Sequence, residues 1–264
     1  MSKPTILIVG GSFAPPSVYD NIVDAITAKG YDIRALHYPS IGLRDGPKTE
    51  KLPTMYDDAA FVAKEVSKLA DEGKDVLLVA HSYGGVPATE STKGLTKKER
   101  QSQGKGGGIT RLAYMTSLVP PVGGSSRGLL SEIPSENRIE FKIDEQGWMD
   151  YVDLPAAAAL IVSDLPDAKE REAIVGKFQT HSSASFATEL THAGYKDVPV
   201  SYLFCEADAV LPLKYQKDWI DLIEKESGNK VDVTSLQVGH CPSYTKPQET
   251  IDWIINAAVK SESN

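Results

Sequence analysis

Three residues of this sequence, Ser82, Asp208 and His240, have the side-chain types that nucleophilic acyl transfer requires. A serine hydroxyl attacks a carbonyl at neutral pH only when a base removes its proton during the step, and imidazole suits that role. A carboxylate beside the imidazole selects its tautomer and stabilises its transient positive charge. We therefore predict Ser82 as nucleophile, His240 as base and Asp208 as acid, if the fold brings them together.

The sequence around Ser82 predicts a sharp turn that would expose its hydroxyl. Residues 76–85 read VLLVAHSYGG, in which a short apolar run typical of a buried strand leads directly into small residues. In a nucleophile elbow, the serine stands at the tip of such a strand-to-helix turn. Ala80 replaces the first glycine of the G-x-S-x-G pattern, and Gly84 keeps the second. The alternative is a serine in an ordinary β-α connection. We expect the neighbouring His81 to pack or to hydrogen-bond the loop.

Two carboxylates compete for the role of the acid, because the strand that ends at Cys205 is followed by Glu206-Ala207-Asp208. We favour Asp208, since the loop before Leu211 should aim it at the histidine, whereas Glu206 lies closer to the strand. The chain order serine, acid, histidine is that of α/β-hydrolases and differs from the orders in chymotrypsin-like and subtilisin-like proteases.

Predicted strands and helices alternate along most of the chain. The strands are predicted at 5–9, 32–36, 76–80, 109–117, 200–205 and 231–237, and the main helices at 18–29, 55–69, 214–225 and 247–259. Such alternation implies an α/β fold with a parallel sheet of about six strands, right-handed crossovers and helices on both faces. The three candidate residues would then follow strand ends at one edge of this sheet.

The loop after the first strand, residues 10–16 (GGSFAPP), also has a predicted role. A glycine pair at this place could indicate a dinucleotide site, but the G-x-G-x-x-G pattern is absent and two prolines occupy the expected helix start. We interpret it as a loop whose backbone N–H groups face the space above the sheet, as an oxyanion hole needs.

Residues 122–197 depart from the alternation and show no strong strand, with short helices predicted at 154–163 and 167–178. We predict a helical cap over the strand ends, inserted into a core formed by 1–121 and 198–264; the alternative is a helical subdomain that only pads the fold. A cap selects substrate and excludes water. Candidate pocket residues, which could equally be packing residues, are Phe13, Trp148, Met149, Tyr151, His181 and Phe186, and the stretch 147–151 looks exposed.

The segment 93–108, KGLTKKERQSQGKGGG, is polar, basic and glycine-rich. Its low apolar content predicts a mobile surface loop in preference to a phosphate or partner site.

Composition narrows the class of protein. The 264 residues carry a net charge of −8, which argues against a nucleic-acid or anionic-membrane partner. The first apolar run is too short for a signal sequence or a membrane span, so we expect a soluble cytoplasmic protein. Two cysteines, Cys205 and Cys241, make no secreted disulfide framework, and no cluster indicates a metal or another cofactor. No pattern indicates the oligomeric state.

These stretches resemble the α/β-hydrolase superfamily, and within it the compact branch of plant methylesterases, hydroxynitrile lyases and bacterial pyrethroid-type carboxylesterases. The resemblance rests on HSYGG at the elbow, LAYMTSLVP after it, EADAVLP around the acid and GHCPSYTKPQETIDWI around the base. It implies that the backbone N–H groups of Ser12 and Tyr83 form the oxyanion hole. Hydroxynitrile lyases of this type have lysine where this chain has Cys241, which argues against cyanogenesis.

The expected function is hydrolysis of a small-molecule ester or lactone through an acyl-enzyme. One alternative is C–C bond cleavage, a lyase step or a cyclisation on a polyketide-like ligand with the same three residues. Another is a slow-turnover ligand receptor on a hydrolase scaffold.

Overall fold

The computed structural model describes residues 3–47, 49–135 and 138–262. Among these residues, six strands form one sheet in which every pairing is parallel. The strands are β1 (Thr5–Val9), β2 (Ile33–Leu36), β3 (Asp75–His81), β4 (Gly108–Met115), β8 (Val200–Cys205) and β9 (Asp232–Leu236), in the order β2-β1-β3-β4-β8-β9. The predicted α/β fold and its parallel sheet of six strands are therefore confirmed.

Helices connect the strands and cover the sheet. They are α1 (Asp20–Ala28), α2 (Met55–Asp71), α3 (Gly85–Glu90), α4 (Lys97–Ser102), α5 (Ser126–Glu132), α6 (Leu154–Ile161), α7 (Ala168–Val175), α8 (Ser183–Ala187), α9 (Leu213–Ser227), α10 (Pro242–Thr245) and α11 (Pro247–Glu262). Helix α1 packs against α11, and α2 packs against α3. All residues of β1 and β4 are buried. Burial on both faces explains why β1, TILIV, shows no alternation of apolar and polar residues.

The strand order brings the loops that carry the candidate catalytic residues to one edge of the sheet. The chain crosses from β2 over β1 to form β3, so the order reverses beside β1, and ligands of open α/β sheets bind at the carboxyl edge near such a reversal. The loops after β1, β3, β8 and β9 all leave this edge because the strands are parallel.

The segment 93–108 is not the loop that its composition predicts. It contains α4, whose first turn is closed by a capping box in which Thr96 and Glu99 bond each other's backbone N–H groups. Arg100 is buried and donates to Asp71 at 2.9 Å and to the carbonyl oxygens of Gly106 and Gly107. The prediction was wrong because one buried arginine, bonded to Asp71 and to two backbone carbonyl oxygens, anchors a segment that has few apolar residues.

Residues 122–197 also differ from the prediction of a purely helical segment. Besides helices α5 to α8, they contain a small antiparallel sheet of β5 (Phe141–Ile143), β6 (Trp148–Tyr151) and β7 (His181–Ser182). These strands have two to four residues, too few to show a period of two in the sequence. Trp148, Met149 and Tyr151 are buried here, so the expected exposure of 147–151 was wrong for them.

No helix within the described ranges is long and apolar enough to cross a membrane. Cys205 and Cys241 are both buried free thiols.

Candidate active site

Ser82 stands directly after β3 in a strained turn. Its φ is +52°, a left-handed backbone conformation that residues other than glycine rarely adopt. The two glycines of this turn, Gly84 and Gly85, could not be replaced by residues with a side chain without a clash. A Cβ on Gly84 would lie 2.2 Å from the carbonyl oxygen of Val9, and a Cβ on Gly85 would lie 2.4 Å from the carbonyl oxygen of Leu118. Close packing of the turn against β1 and the loop after β4 therefore holds the strained serine in place.

The side chains of Ser82, His240 and Asp208 form one hydrogen-bonded chain. His240 Nε2 is 3.0 Å from Ser82 Oγ, and His240 Nδ1 is 2.7 Å from Asp208 Oδ2. The three residues follow β3, β9 and β8, which lie far apart in sequence but end at one edge of the sheet. The structure thus brings together the three residues that the sequence singled out.

The carboxylate of Asp208 is oriented by its own loop and by a neighbouring strand end. Its Oδ1 accepts the backbone N–H groups of Val210 at 2.7 Å and Leu211 at 2.8 Å, while its Oδ2 accepts Thr116 Oγ1–H at 2.5 Å. The Asp208 side chain has no exposed surface. Thr116, at the end of β4, was missed because a threonine at a strand end carries no signal of this contact. The competing acid, Glu206, instead accepts a hydrogen bond from Ser235.

The glycine loop after β1 lies beside the turn that carries Ser82. A Cβ on Gly11 would lie 3.4 Å from Ser82 Cβ, so the loop passes close to the nucleophile. The buried Tyr38 hydroxyl lies 2.9 Å from the carbonyl oxygen of Gly10 and 3.0 Å from that of Gly11, to which it donates. Ser12 and Tyr83, whose backbone N–H groups are predicted to bind an oxyanion, both contribute to the wall of the cavity at Ser82.

His81 links this loop to the loop that carries His240. Its Nε2–H donates to the carbonyl oxygen of His240 at 2.8 Å, so its neutral ring accepts at Nδ1, where the Tyr19 hydroxyl donates at 2.8 Å. The Tyr19 hydroxyl in turn accepts the backbone N–H of Gly11 at 2.8 Å. Tyr19 is a further residue that the sequence did not reveal.

We expect the free energy of unfolding to fall below pH 6.5 through His81. Burial, followed by the nearby His240, lowers the pKa of His81 from 6.5 to about 3. Between these values the unfolded chain binds a proton that the folded state excludes, so His81 contributes a slope of roughly 1.4 kcal/mol per pH unit, with stability rising as pH rises. Urea unfolding between pH 4.5 and 8 measures this slope, and His81→Gln should make it shallower below pH 6.5 only. Equal slopes in both proteins would contradict the assignment.

An apolar cavity of about 140 Å³ lies over Ser82. Of the candidate pocket residues, it includes Phe13, Tyr151 and Phe186 in its wall, together with Ser82, His240 and Cys241. Most of the further lining residues are apolar ones that the sequence did not single out: Ala14, Leu118, Leu130, Ile133, Ile139, Phe141, Ile161, Phe178, Val210 and Leu211. The charged residue Arg138 also belongs to the wall. Many of the lining residues come from segment 122–197, as a cap would require.

Three of the candidate pocket residues lie outside the cavity wall. Trp148 packs against Gly42, where an added Cβ would lie 2.7 Å from the indole ring, and Met149 is buried in β6 opposite His181. His181 lies behind Phe13 and Tyr83, with ring centroids 5.3 and 4.8 Å away. The prediction that these residues line the pocket was wrong because packing against other elements directs their side chains away from it.

Within the described residues, no three His, Cys, Asp or Glu side chains lie together in a way that could hold a metal ion. The arrangement around Ser82 consists of protein groups able to transfer a proton and to stabilise charge.

Comparison with known proteins identifies the family to which the chain belongs. The model of the alpha/beta hydrolase family matches residues 6–253. A probable hydrolase, R7, from Phoma sp. is 33% identical over 262 residues, covering 98% of this chain and 99% of that protein. Methylesterase 9 of Arabidopsis thaliana is 24% identical over 228 residues, covering 81% and 82% of the two chains.

The fold itself is shared with solved structures. A pyrethroid hydrolase from Sphingobium faniae JZ-2 superimposes with a TM-score of 0.74 at 20% identity, with 100% of both chains covered. The family match spans nearly the whole chain and confirms the resemblance found in the sequence. This chain is a member of the alpha/beta hydrolase family.

Proposed function

We propose that the protein hydrolyses a small, apolar carboxylic ester or lactone through a covalent intermediate on Ser82. The observation that carries the proposal is the hydrogen-bonded chain from Ser82 through His240 to Asp208, which opens into an apolar cavity. The relation to a methylesterase supports ester chemistry.

The reaction begins with attack of Ser82 Oγ on the ester carbonyl while His240 Nε2 takes the hydroxyl proton. Asp208 stabilises the resulting imidazolium at its Nδ1–H. The backbone N–H groups of Ser12 and Tyr83 stabilise the oxyanion of the tetrahedral intermediate. His240 then returns the proton to the leaving alkoxide, so that the alcohol departs and an acyl-enzyme remains. Water repeats the sequence, releasing the acid and restoring Ser82.

The cavity indicates the size and polarity of the group bound beside the carbonyl. A volume of about 140 Å³ is close to that of an engineered cavity of roughly 150 Å³ that binds benzene. Its lining is mostly aliphatic and aromatic, so burial of an apolar acyl or alkoxy group supplies the binding energy. We therefore expect p-nitrophenyl esters of short acids to be turned over and highly charged esters to be poor substrates.

The proposal is tested with a fluorophosphonate probe and intact-mass measurement. Wild type should gain one adduct, and Ser82→Ala should gain none. Ser201→Ala is the matched control: Ser201 does not line the cavity and its Oγ–H donates to Asp232 Oδ2 at 3.0 Å, so this variant should be labelled like wild type. Turnover of p-nitrophenyl acetate should follow the same pattern. A folded wild-type protein with neither adduct nor turnover would contradict the acyl-enzyme mechanism.

A further inference from the structure

A buried carboxylate, that of Asp58, lies near the site but takes no part in the proposed reaction. It belongs to α2 and has no exposed surface. A buried carboxyl group is costly unless hydrogen bonds compensate it, so the presence of Asp58 in this position requires an explanation. Asp58 Oδ1 accepts the Ser40 backbone N–H at 2.8 Å, and Oδ2 accepts Ser40 Oγ–H and the Tyr83 hydroxyl, each at 2.6 Å.

Tyr83 connects this carboxylate to the turn that carries the nucleophile. Its backbone follows Ser82 directly and supplies one of the two oxyanion N–H groups in the proposed function. Its ring is stacked on Phe186, with centroids 5.3 Å apart and planes 10° apart, while its hydroxyl is held by Asp58. Both parts of the side chain are therefore anchored, which restricts how the Tyr83 peptide can turn.

His181 connects the same network to the glycine loop. Its Nδ1 accepts the backbone N–H of Phe13 at 3.2 Å, so its proton is on Nε2, which lies 3.2 Å from Ser40 Oγ and 3.1 Å from Ser185 Oγ. Burial lowers the pKa of His181 to about 3, and the ring is neutral. Phe13 has a φ of +64°, a strained conformation that persists only where neighbours hold it. Phe13 adjoins Ser12, the residue of the other oxyanion N–H group.

Each hydrogen bond between Phe13 and Asp58 pairs one donor with an acceptor. Phe13 N–H donates to His181, His181 Nε2–H is shared between Ser40 Oγ and Ser185 Oγ, and Ser40 Oγ–H donates to Asp58. The Tyr83 hydroxyl donates to the same carboxylate oxygen from the other side. Asp58 is thus the common acceptor on which two otherwise separate backbone segments converge.

We propose that Asp58, Ser40, His181 and the Tyr83 hydroxyl form an oxyanion brace, a set of positioning residues that fixes the spacing of the Ser12 and Tyr83 N–H groups. This inference rests on the proposed acyl transfer, because it assigns the brace to its oxyanion. The brace lies outside the reacting atoms and acts through the two backbone donors. A fixed spacing matters because the donors must meet the oxyanion and not the ground-state carbonyl oxygen.

The test uses Tyr83→Phe, which keeps the ring and the backbone and removes only the hydroxyl. Misplacement of one oxyanion donor should lower kcat about tenfold with little change in KM. The inhibition constant of a phenyl trifluoromethyl ketone, whose hemiketal oxyanion occupies the same place, should rise by the same factor. Active-site titration with the fluorophosphonate normalises kcat to the folded, competent fraction.

Two further variants separate positioning from general destabilisation. In Asp58→Asn, an amide replaces the carboxyl group that accepts the Ser40 and Tyr83 hydroxyls. This variant should lower kcat by about the same factor as Tyr83→Phe. The Tyr83→Phe/Asp58→Asn double variant should lose no more than Asp58→Asn alone, because both changes remove one shared hydrogen bond. Tyr114→Phe is the matched control: it removes a buried hydroxyl bonded to Thr89 Oγ1 at 2.6 Å, away from the cavity wall, and should keep wild-type kcat.

The outcomes of these experiments separate a failure of the brace from a failure of the proposed function. If wild type is labelled and turns over, but Tyr83→Phe keeps the wild-type kcat per active site or the wild-type inhibition constant, the brace is refuted and the acyl-enzyme mechanism stands. Additive losses in the double variant would refute the shared bond and so the brace. If wild type is neither labelled nor active, the proposed function has failed first, and the brace fails with it.

Discussion

The Asp208→Asn variant is expected to fold like wild type and to lose about 10⁴-fold in kcat. The reason lies in the fixed donors around the carboxylate. Backbone N–H groups of Val210 and Leu211 both point at Oδ1, so an asparagine must place its carbonyl oxygen there. Its NH₂ group then takes the position of Oδ2, facing His240 Nδ1.

This orientation imposes the wrong tautomer on His240. A ring nitrogen that faces an amide N–H must accept, so the imidazole proton moves to Nε2, the nitrogen that faces Ser82 Oγ. A protonated Nε2 cannot remove the hydroxyl proton. Both kcat and the rate of fluorophosphonate labelling should therefore fall together, as measured by steady-state kinetics and time-resolved intact mass.

Glu206→Gln is the matched control, since Glu206 is the other carboxylate of the same strand end and bonds Ser235 instead. It should retain the wild-type kcat. If Glu206→Gln were the inactive variant and Asp208→Asn the active one, the assignment of the acid would be reversed.

Gly84→Ala is expected to lower the free energy of unfolding by about 3 kcal/mol. The backbone at Gly84, with φ of −54° and ψ of −19°, suits any residue, so the constraint is space and not conformation. The added methyl would lie 2.2 Å from the carbonyl oxygen of Val9 and 2.5 Å from that of Gly10. These are backbone atoms, which no rotamer change can move, so the elbow and β1 must separate.

Urea unfolding measures this loss, and kcat should fall as well because Gly10 begins the glycine loop. Gly128→Ala provides the control: Gly128 lies within α5, and the nearest atom to an added Cβ, Ser125 Oγ, is 3.5 Å away. There the change should be neutral or stabilising, by up to about 1 kcal/mol. A Gly84→Ala protein as stable as wild type would show that the turn can open without cost.

The strands could be predicted from the sequence because they depend on local signals, whereas their order in the sheet came from the structure. A run such as VLLVA suits a strand covered on both faces, and parallel strands end at one edge whatever their separation along the chain. That is why Ser82, Asp208 and His240, which lie up to 158 positions apart, could be assigned to one place before any distance was known.

Side-chain direction in the segment 122–197 could not be read in the same way. Tyr151 and Phe186 reach the cavity, whereas Trp148 and Met149 pack elsewhere, although all four are large apolar residues in the same segment. Very short strands carry too few positions to reveal which face is which. The helix at 97–102 was missed for a related reason, since its anchor is a single arginine that finds partners in other elements.

The sequence by itself determined the α/β fold, the shared edge at which the parallel strands end and the three candidate catalytic residues, because hydrophobic runs and small turn residues are local signals and the order of residues is read directly from the chain. Only the tertiary structure decided what orients them. Thr116 reaches Asp208, Tyr19 reaches His81, and Asp58 receives Tyr83. Each of these contacts joins residues that follow or belong to different elements, and their existence depends on how the elements pack against one another. Single side-chain hydrogen bonds between distant residues produce no periodic pattern in a sequence and so cannot be predicted from it. Burial nevertheless makes each of them important for the orientation of the residues in the folded molecule.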